Sequence, residues 1–417
     1  MQFRIPLRHH IEQMTPDEFY QCVPRERLQA AVLDTPSPCY LFFESIVVNQ
    51  AQKLRASLER IQVHYAVKAN PHPAILLAMR RLGLGADVAS GHELQAVLDA
   101  GFDPARIEFS GPGKTAAELE QALGARIGSI NVESLGELDA LAALSRRFGL
   151  RPRIGLRVNP SIEAKSGLKM AGATQFGLSE EDLEIALAAM QPASFPLDFV
   201  GLHLHVGSQI LDSGSVLEIF RVALDVAQRV ARRTGRPLSK LNFGGGFGVT
   251  YFPGQEQLDL TAVGSKLAVL LGEHSSSGSG IEDAMLIIEP GRYLVAEAGV
   301  YVTRILYRKT TRGREFAIVD GGMHHNYLLA GGMGQVLRRN FFFDVLTPGG
   351  HAVPAPSYKL NVAGCLCSPQ DLLLQDAPCP QRAHPGDWVV FFNCGAYGSS
   401  ASPVNFLGHP KPTEILM

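Results

Sequence analysis

The alternation of strand and helix patterns between about residues 60 and 290 constrains the fold of this chain more than any other feature. Short apolar segments that end abruptly are separated by amphipathic helical patterns. The candidate strand ends are His64–Val67, Ala86–Ala89, Ile107–Ser110, Ser129–Val132, Ile154–Val158, Val200–Val206, Lys240–Phe243 and Leu286–Glu289. The candidate helices include Gly91–Ala100, Thr115–Leu123, Leu135–Phe148, Ser179–Met190 and Ser215–Thr234. About eight such units favour a (β/α)8 barrel over an open doubly wound sheet.

After Glu289 the pattern changes to β-rich segments separated by Pro- and Gly-rich turns. The predicted strands are Val300–Tyr307, Glu315–Val319, Tyr358–Val362 and Trp388–Phe392. The fold class is therefore α/β, a barrel plus a C-terminal all-β domain completed by the N-terminal segment. We expect residues 1–41 to join the β domain, residues 42–290 to form the barrel and residues 291–417 to form the β domain. Ser90 and Ser179 are predicted helix N-caps, and residues 275–280 a flexible loop.

Composition excludes several classes of protein. The 417 residues contain 38 Lys and Arg against 40 Asp and Glu, so no basic field for nucleic acid is present. No apolar run reaches the length of a membrane span, and the first residues contain no signal-like apolar segment. The six cysteines are too few and too scattered for a disulfide scaffold, so we expect free thiols and a cytoplasmic protein.

Chemically suggestive residues fall at the C-terminal ends of the predicted barrel strands, where barrel active sites lie. Lys68 ends the first strand in the sequence YAVKAN. A lysine there can form a Schiff base with an aldehyde cofactor, and burial would help by lowering its pKa. The other candidates at strand ends are Asp87, Arg157, Asn159, His203, His205, Glu289 and Arg292.

The glycines Gly244, Gly245 and Gly246 follow the seventh predicted strand. At this position of a barrel a turn can present backbone N–H groups to a phosphate. The alternative is a tight turn in which glycine tolerates positive φ. The spacing does not match the dinucleotide-binding fingerprint.

His203 and His205 lie two residues apart on a strand and therefore share a face. A metal site would need a third ligand, for which Asp87 or Glu289 is available, yet an imidazole stacked on a flat cofactor ring needs only one histidine. We predict no metal. The pairs His9-His10 and His324-His325 are expected to be solvated or hydrogen-bonded pairs rather than metal ligands.

Glu289 offers a fixed carboxylate, which could keep a pyridine nitrogen protonated or form a structural salt bridge with Arg292. In the C-terminal region, Cys365 and Cys367 form a C-x-C pair that on its own suggests two buried thiols. Tyr397 lies in a glycine-flanked turn and is either a hairpin residue or a hydroxyl donor to phosphate.

Together, YAVKAN, DVAS, HVGSQ, GGGFG, EPGR, the late cysteine segment and GAY resemble the alanine-racemase-like pyridoxal-phosphate decarboxylases, the ornithine and diaminopimelate decarboxylase family. The resemblance covers about residues 38 to 410, with the motifs in the family's order. It implies that Lys68 forms the Schiff base with the cofactor and that Asp87 is the carboxylate near this lysine. It implies that Arg157 lies near the ring hydroxyl, that His205 stacks on the ring and that Glu289 is the partner of the pyridine nitrogen. It further implies phosphate or cofactor contacts from Ser208, Gly244, Gly245, Gly246, Gly291, Arg292 and Tyr397.

The resemblance also implies a homodimer with shared active sites, in which Cys367 of the other subunit is the general acid. One departure concerns the substrate. Amine-specific members have an acidic residue directly after that cysteine, whereas this chain has Ser368, and an uncharged hydroxyl cannot neutralise a buried ammonium. Ser368 and Arg292 are the predicted substrate contacts.

We therefore predict α-decarboxylation of an amino acid that has a non-basic side chain or is tethered to an acidic acyl carrier protein. Arg338-Arg339 could contact such a carrier. The alternative within the class is a decarboxylase of free diaminopimelate, ornithine or lysine. A racemase is disfavoured because the cysteine replaces the expected tyrosine base, and a non-catalytic regulator of the same fold is the alternative from another class.

Overall fold

The computed structural model describes residues 15–161, 168–169, 171–274, 278–333, 338–348, 353–355 and 358–417. His9-His10, the first part of the predicted N-terminal segment and residues 275–277 of the predicted loop lie outside these residues. Among the described residues, no helix combines the length and apolar character needed to cross a membrane.

The helices begin mostly at polar capping residues. They are α1 Pro16–Cys22, α2 Arg25–Asp34, α3 Glu44–Ser57, α4 Pro73–Arg81, α5 Gly91–Asp99, α6 Ala116–Ala125, α7 Leu135–Phe148, α8 Glu180–Ala189, α9 Ser213–Thr234, α10 Leu260–His274 and α11 Arg292–Val295. The predicted caps are confirmed, because the side chain of Ser90 accepts from the Glu93 N–H and that of Ser179 from the Asp182 N–H.

The strands follow the predicted positions closely in the first part of the chain. They are β1 Cys39–Phe42, β2 Gln62–Ala66, β3 Gly85–Val88, β4 Ile107–Phe109, β5 Ser129–Val132, β6 Arg153–Val158, β7 Leu168–Lys169, β8 Asp198–Leu204, β9 Gly207–Ser208, β10 Lys240–Asn242, β11 Met285–Ile288, β12 Gly299–Thr311, β13 Arg314–Val319, β14 Phe343–Leu346, β15 Val353–Pro354, β16 Lys359–Ala363, β17 Leu372–Pro378, β18 Gln381–Arg382, β19 Trp388–Phe391 and β20 Thr413–Leu416.

Eight parallel strands close into a barrel in the order β10-β11-β2-β3-β4-β5-β6-β8. This barrel belongs to a compact unit formed by the described residues of Val47–Val249 and Leu258–Leu294. The strands are short and mostly buried, as expected where helices cover the outside and side chains fill the inside. The predicted (β/α)8 barrel is confirmed.

The second compact unit comprises the described residues up to Ile46, Thr250–Gln257 and Val295–Met417. Its main sheet has the order β14-β19-β12-β13-β16-β17. The N-terminal strand β1 joins this sheet, since Leu41 pairs antiparallel with Val300 of β12 and parallel with Ile415 of β20. Phe19 of α1 packs edge-on against Phe43 and Phe392, with ring centroids 5.3 and 5.1 Å apart. The predicted β domain completed by the N-terminal segment is thus confirmed, whereas the contribution of Thr250–Gln257 was not foreseen.

Candidate active site

Lys68 lies at the C-terminal rim of the barrel, in a 3-10 turn formed by Val67–Ala69 directly after β2. Its Nζ is 3.6 Å from Oδ2 of Asp87, which is buried at the end of the neighbouring strand β3. The Lys68 side chain is 41% exposed, so its amine is accessible from solvent. An accessible amine beside a buried carboxyl is suited to react with an aldehyde that enters from the barrel mouth.

The turn Pro290-Gly291-Arg292 packs against the turn that carries Lys68. A Cβ at Gly291 would lie 2.8 Å from Cβ of Ala69, so any larger residue would push the two turns apart. Arg292 begins the short helix α11 and is buried. The close approach at Gly291 therefore brings the ends of β2 and β11 together at one side of the rim.

Glu289, directly after β11, is held by two side chains inside the barrel. Its Oε2 is 3.1 Å from Nε2 of His203, and its Oε1 accepts a 2.6 Å hydrogen bond from Nδ2 of Asn242. The alternative of a structural salt bridge with Arg292 is not needed to explain the burial of Glu289, because these two partners occupy both of its oxygens. Of the two histidines on β8 and its end, His203 is thus a hydrogen-bond partner of Glu289.

A second buried carboxylate, Glu108 of β4, extends this network into the barrel. Its Oε1 accepts a 2.9 Å bond from Nζ of Lys240, and its Oε2 a 2.8 Å bond from the same Asn242 amide. Lys240 also donates to the Ser129 hydroxyl. Asn242 therefore links the buried Lys240–Glu108 ion pair to Glu289.

The pKa values of Asp87 and Glu289 are displaced in opposite directions. Burial raises the pKa of Asp87 well above its usual range, and the charge of Glu289 adds to this effect while Lys68 opposes it. For Glu289 burial also acts to raise the pKa, but the charge and hydrogen bond of His203 outweigh it and lower the pKa. Such a separation distinguishes a carboxyl that can carry a proton from one that stays negative.

The triglycine segment forms a turn that only glycine can occupy. Gly244 and Gly246 have φ of +70° and +102°, and a Cβ on them would lie 2.5 Å from the carbonyl oxygens of Leu204 and Gly207, respectively. The N–H of Gly244 donates to Asn242 Oδ1 at 2.8 Å. The turn is thus pressed against the chain that follows β8, and its glycine character has the backbone-packing cause that the sequence left as an alternative.

The segment after β8 brings His205 and Ser208 to the same turn. Nδ1 of His205 accepts a 3.0 Å bond from the Gly245 N–H. Burial, reinforced by the charges of Lys68 and Arg157, lowers the pKa of His205 well below its usual value, so the ring is neutral. Ser208 lies in β9 and pairs with Leu168 of β7, while Ile210 donates to the Gly246 carbonyl at 2.8 Å. His205 and Ser208 therefore flank the glycine turn.

Arg157, at the end of β6, is held by a residue that the sequence did not single out. Its Nη1 donates a 2.8 Å bond to Oε1 of Glu133, directly after β5, and both side chains are buried. Burial would raise the pKa of Glu133, but the charges of Arg157 and Lys114 lower it. The guanidinium is thus fixed in place by a charged partner.

The remaining candidates belong to the β unit. All six cysteines are free, as predicted, but the C-x-C pair is not two buried thiols, since Cys367 is exposed and Cys365 half-buried. Ser368 accepts from the Gln370 N–H at 3.3 Å. Tyr397 is half-buried with a φ of +54°, which is uncommon for a residue with a side chain.

Sequence reasoning missed Asn242, Glu133 and Glu108, although the sequence contains a signal for each of them. Polar residues alternating on a short barrel strand share its inner face, so Lys240 and Asn242 of β10 could have been assigned to the lumen. Glu108 on β4 could have been assigned to the lumen only after Lys240 had been recognised as its partner. Glu133 directly after β5 matches the rim positions that identified the other candidates.

These residues fit a phosphorylated pyridine aldehyde. The barrel supplies the accessible amine of Lys68, the ionised carboxylate of Glu289 and the neutral imidazole of His205. It also supplies the turn formed by the glycines at 244–246. A Cβ at Gly246 would lie 2.5 Å from the Gly207 carbonyl oxygen, so this close approach of the two backbones is possible only because glycine is present. The donor set thus matches the needs of pyridoxal phosphate.

Comparisons with known proteins agree with this chemistry. Residues 44–296 match the family model described as pyridoxal-dependent decarboxylase, pyridoxal binding domain. The chain is 36% identical over 383 residues to the L-glutamyl-[BtrI acyl-carrier protein] decarboxylase of Niallia circulans, covering 91% of this chain and 88% of that protein. It is 35% identical to diaminopimelate decarboxylase of Helicobacter pylori strain J99, covering 91% and 90%. The structure of Helicobacter pylori diaminopimelate decarboxylase complexed with L-lysine superposes with a TM-score of 0.82 at 31% identity, covering 94% of each chain. The barrel, its rim and these relatives together show that the chain belongs to the ornithine/diaminopimelate family of pyridoxal-phosphate-dependent decarboxylases and is an amino-acid decarboxylase.

Proposed function

We propose that this decarboxylase acts on an amino acid without a free distal ammonium, and that its preferred substrate is an acidic aminoacyl group tethered to an acyl carrier protein. The observation that carries the proposal is that Asp371, the only acidic residue of the segment GCLCSPQD (residues 364–371), is already hydrogen-bonded. Asp371 accepts hydrogen bonds from the backbone N–H groups of Met323 at 2.6 Å and Leu366 at 2.9 Å. Both of its oxygens are therefore engaged within the unit, and the position after Cys367 carries only the Ser368 hydroxyl.

The energetic consequence concerns free diamino acids. An ammonium group removed from water without a negative partner loses several kcal/mol, whereas a carboxylate, an amide or a thioester at that place does not. The Niallia circulans relative acts on a glutamyl group of an acyl carrier protein, and the similarity over nine-tenths of the chain supports the same substrate class here.

Pyridoxal phosphate, when bound, withdraws electrons from the α-carbon of an amino acid as the carboxyl group leaves as CO2. In our proposal Lys68 anchors the cofactor aldehyde, Glu289 keeps the pyridine nitrogen protonated, and neutral His205 lies against the ring. Arg157 would lie near the ring hydroxyl, and Asp87 would lie beside the lysine. The phosphate would be held by Ser208, Gly244, Gly245, Gly246, Arg292 and Tyr397, with Gly291 as a further cofactor-binding residue.

The proposal includes a homodimer in which each active site takes residues from both chains. Cys367 would donate a proton to the α-carbon in the site of the second subunit after CO2 has left. Its exposure on the β unit supports this role, because a thiol that serves a site in another chain must be accessible on its own. Ser368 would lie beside the distal part of the substrate, with Arg292.

Arg338 and Arg339 supply a candidate docking point for an acidic carrier. Both are exposed, and the Arg339 guanidinium lies 5.9 Å from the centroid of the Phe252 ring. A guanidinium within about 6 Å of an aromatic ring centroid is attracted to the face of that ring. Charges of this kind mainly accelerate association with an oppositely charged partner.

The decisive experiment compares kcat/KM for a carrier-linked glutamyl substrate with kcat/KM for free ornithine, lysine and diaminopimelate. We expect the carrier-linked substrate to be preferred by about a hundredfold or more. Ser368→Asp should raise kcat/KM for the free diamino acids, and Ser265→Asp on the exposed face of α10 is the matched control that should not. A free diamino acid that turns over as well as every carrier-linked or acidic candidate would refute the proposal.

That outcome would favour the second candidate, a decarboxylase of free diaminopimelate, ornithine or lysine. The observation in its favour is the similarity in sequence and fold to the Helicobacter pylori diaminopimelate decarboxylases. It requires a distal contact other than the residue after Cys367, since Asp371 is already engaged.

A further inference from the structure

Three side chains of the β unit that play no part in the proposed reaction converge on one point. One potential ligand atom each of His324, Cys365 and His409 lies within 4.8 Å of the other two. Sγ of Cys365 is 3.9 Å from Nε2 of His409, and the ring centroids of His324 and His409 are 5.0 Å apart. These residues come from three separate segments of the chain, so their meeting is a product of the tertiary fold.

His324 is buried without any hydrogen-bond partner. Its exposure is 0%, and neither Nδ1 nor Nε2 is hydrogen-bonded. Its neighbour His325 differs, because Nδ1 lies 3.2 Å from the Tyr301 hydroxyl and Nε2 2.8 Å from the Pro410 carbonyl. The expectation that both histidines are solvated or hydrogen-bonded therefore holds only for His325. An unsatisfied buried imidazole costs free energy unless another group uses its lone pair.

The segments that carry the cluster are held in place by the carboxylate of Asp371. This carboxylate accepts from the N–H of Met323, directly before His324, and from the N–H of Leu366, directly after Cys365. It fits there because Gly322 and Gly364 lack side chains. A Cβ at Gly322 would lie 2.7 Å from the carboxylate, and one at Gly364 would clash with it as well.

The third segment is held from the opposite side. The carbonyl of Pro410, directly after His409, lies 2.8 Å from Nε2 of His325. The ring centroid of His325 is 3.7 Å from that of His324, with the two ring planes tilted by 41°. The Cys365 N–H in turn donates to the Gly321 carbonyl at 3.1 Å. Each member of the cluster is thus positioned by the backbone of a neighbouring residue, as in preformed ligand sites.

We propose that His324, Cys365 and His409 bind a zinc-class divalent transition-metal ion, with water or an added ligand in the fourth position. One thiolate and two imidazoles are the ligands such ions prefer, and three protein ligands with one open position is a common zinc arrangement. In a tetrahedral site the ligand atoms lie about 3.4–3.7 Å apart, so small rotations of the rings close the cluster around an ion.

Metal binding would release one proton from the cluster. As the metal–sulfur bond forms, the Cys365 thiol releases its proton to solvent, and the imidazoles donate lone pairs without losing protons. Binding would also restrain the backbone two residues before Cys367, independently of which amino acid is decarboxylated.

The test is the metal content of the pyridoxal-phosphate-loaded enzyme after incubation with Zn²⁺ and dialysis. We expect about one zinc per chain, with zinc X-ray absorption showing one sulfur and two imidazole ligands. Cys365→Ser and His409→Asn should lose this ion. Cys22→Ser and His384→Asn change the same residue types outside the cluster and should retain it.

A second measurement avoids dependence on variant folding. In the wild-type enzyme, Zn²⁺ should protect Cys365 from alkylation, read by peptide mass spectrometry, while Cys367 stays reactive. The proposal is overturned if the wild-type enzyme retains no stoichiometric zinc, if Cys365→Ser retains as much as wild type, or if Zn²⁺ leaves the alkylation of Cys365 unchanged.

Discussion

The barrel rim and the region around Asp371 position polar side chains in two different ways. In the barrel, Lys68, Asp87 and Glu289 stand at the ends of neighbouring parallel strands, and the pleat determines which side chains face the lumen. Around Asp371 the side chains are positioned by hydrogen bonds rather than by the alternation of residues along a strand. The Asp371 carboxylate accepts from the backbone N–H groups of Met323 and Leu366, which lie in two separate turns. The first arrangement follows from local sequence, and the second depends on contacts between distant segments.

The two regions differ in what lies beside a buried histidine. In the barrel, His64 has neither ring nitrogen hydrogen-bonded, but its Nδ1 lies 3.9 Å from Oε1 of Glu108, a carboxylate that belongs to a connected network of buried polar groups. In the β unit the ring nitrogens of His324 also make no hydrogen bond, and its neighbours are the thiol of Cys365 and the imidazole of His409. The barrel histidine thus lies beside a carboxylate that is already paired, whereas His324 lies beside two further groups that can ligate a metal ion.

Removal of the rim amine should have the largest effect. Lys68→Ala should abolish decarboxylation, a loss of at least about a thousandfold, and remove the visible absorbance of the bound cofactor. Borohydride reduction followed by peptide mapping should label Lys68 in the wild-type enzyme. Lys266→Ala on α10 is the control and should keep both activity and label. A label on another lysine in Lys68→Ala would contradict the assignment.

Removal of the negative charge of Glu289 should have the next largest effect. Glu289→Gln keeps the shape but removes the charge, so we expect kcat to fall about 10²–10³-fold with a smaller change in KM. The cofactor absorbance should also shift, because its ring nitrogen would lose a negative partner. Glu273→Gln on α10 is the matched control, and unchanged kcat in Glu289→Gln would exclude Glu289 from the chemistry.

The barrel network also predicts a pH-dependent stability. Burial alone would raise the pKa of Glu108, but Lys240, His64 and the hydrogen bonds lower it to about 2. A lowered folded-state pKa stabilises the protein fully above the unfolded-state value near 4.3, and this contribution is lost as pH falls from there towards about 2. Glu108→Gln leaves Lys240 unpaired and should lower the free energy of unfolding at pH 7 by about 3 kcal/mol.

Urea unfolding at pH 7, 5 and 4 measures this effect. The difference in the free energy of unfolding between wild type and Glu108→Gln should be constant from pH 7 to pH 5 and should begin to decrease at pH 4. A difference that is absent at pH 7 would show that the ion pair contributes nothing to barrel stability.

The smallest expected effect is the partial recovery of activity when a variant of the barrel rim is mixed with a variant of the β unit. If each site is built from two chains, as we propose, mixed inactive Lys68→Ala and inactive Cys367→Ala chains should recover up to about a quarter of wild-type activity, because half of the reassorted dimers would carry one intact site of two. Subunit exchange must be verified by mass spectrometry. Full exchange without recovered activity would argue that each site is built from one chain.

Local sequence determined the barrel and its rim, because strand period, helix caps and abrupt strand ends are short-range signals. The capping serines, the positions of Lys68, Asp87 and Glu289, and the glycine turn could all be read along the chain. The exposure of Lys68 and the Asn242 bridge could not, since they depend on which side chains meet across the lumen. The tertiary structure alone decided that Asp371 is engaged and that His324, Cys365 and His409 converge. These contacts join residues from 5 to 85 positions apart through backbone groups and single side-chain pairs, and neither kind of contact leaves a periodic trace in the sequence.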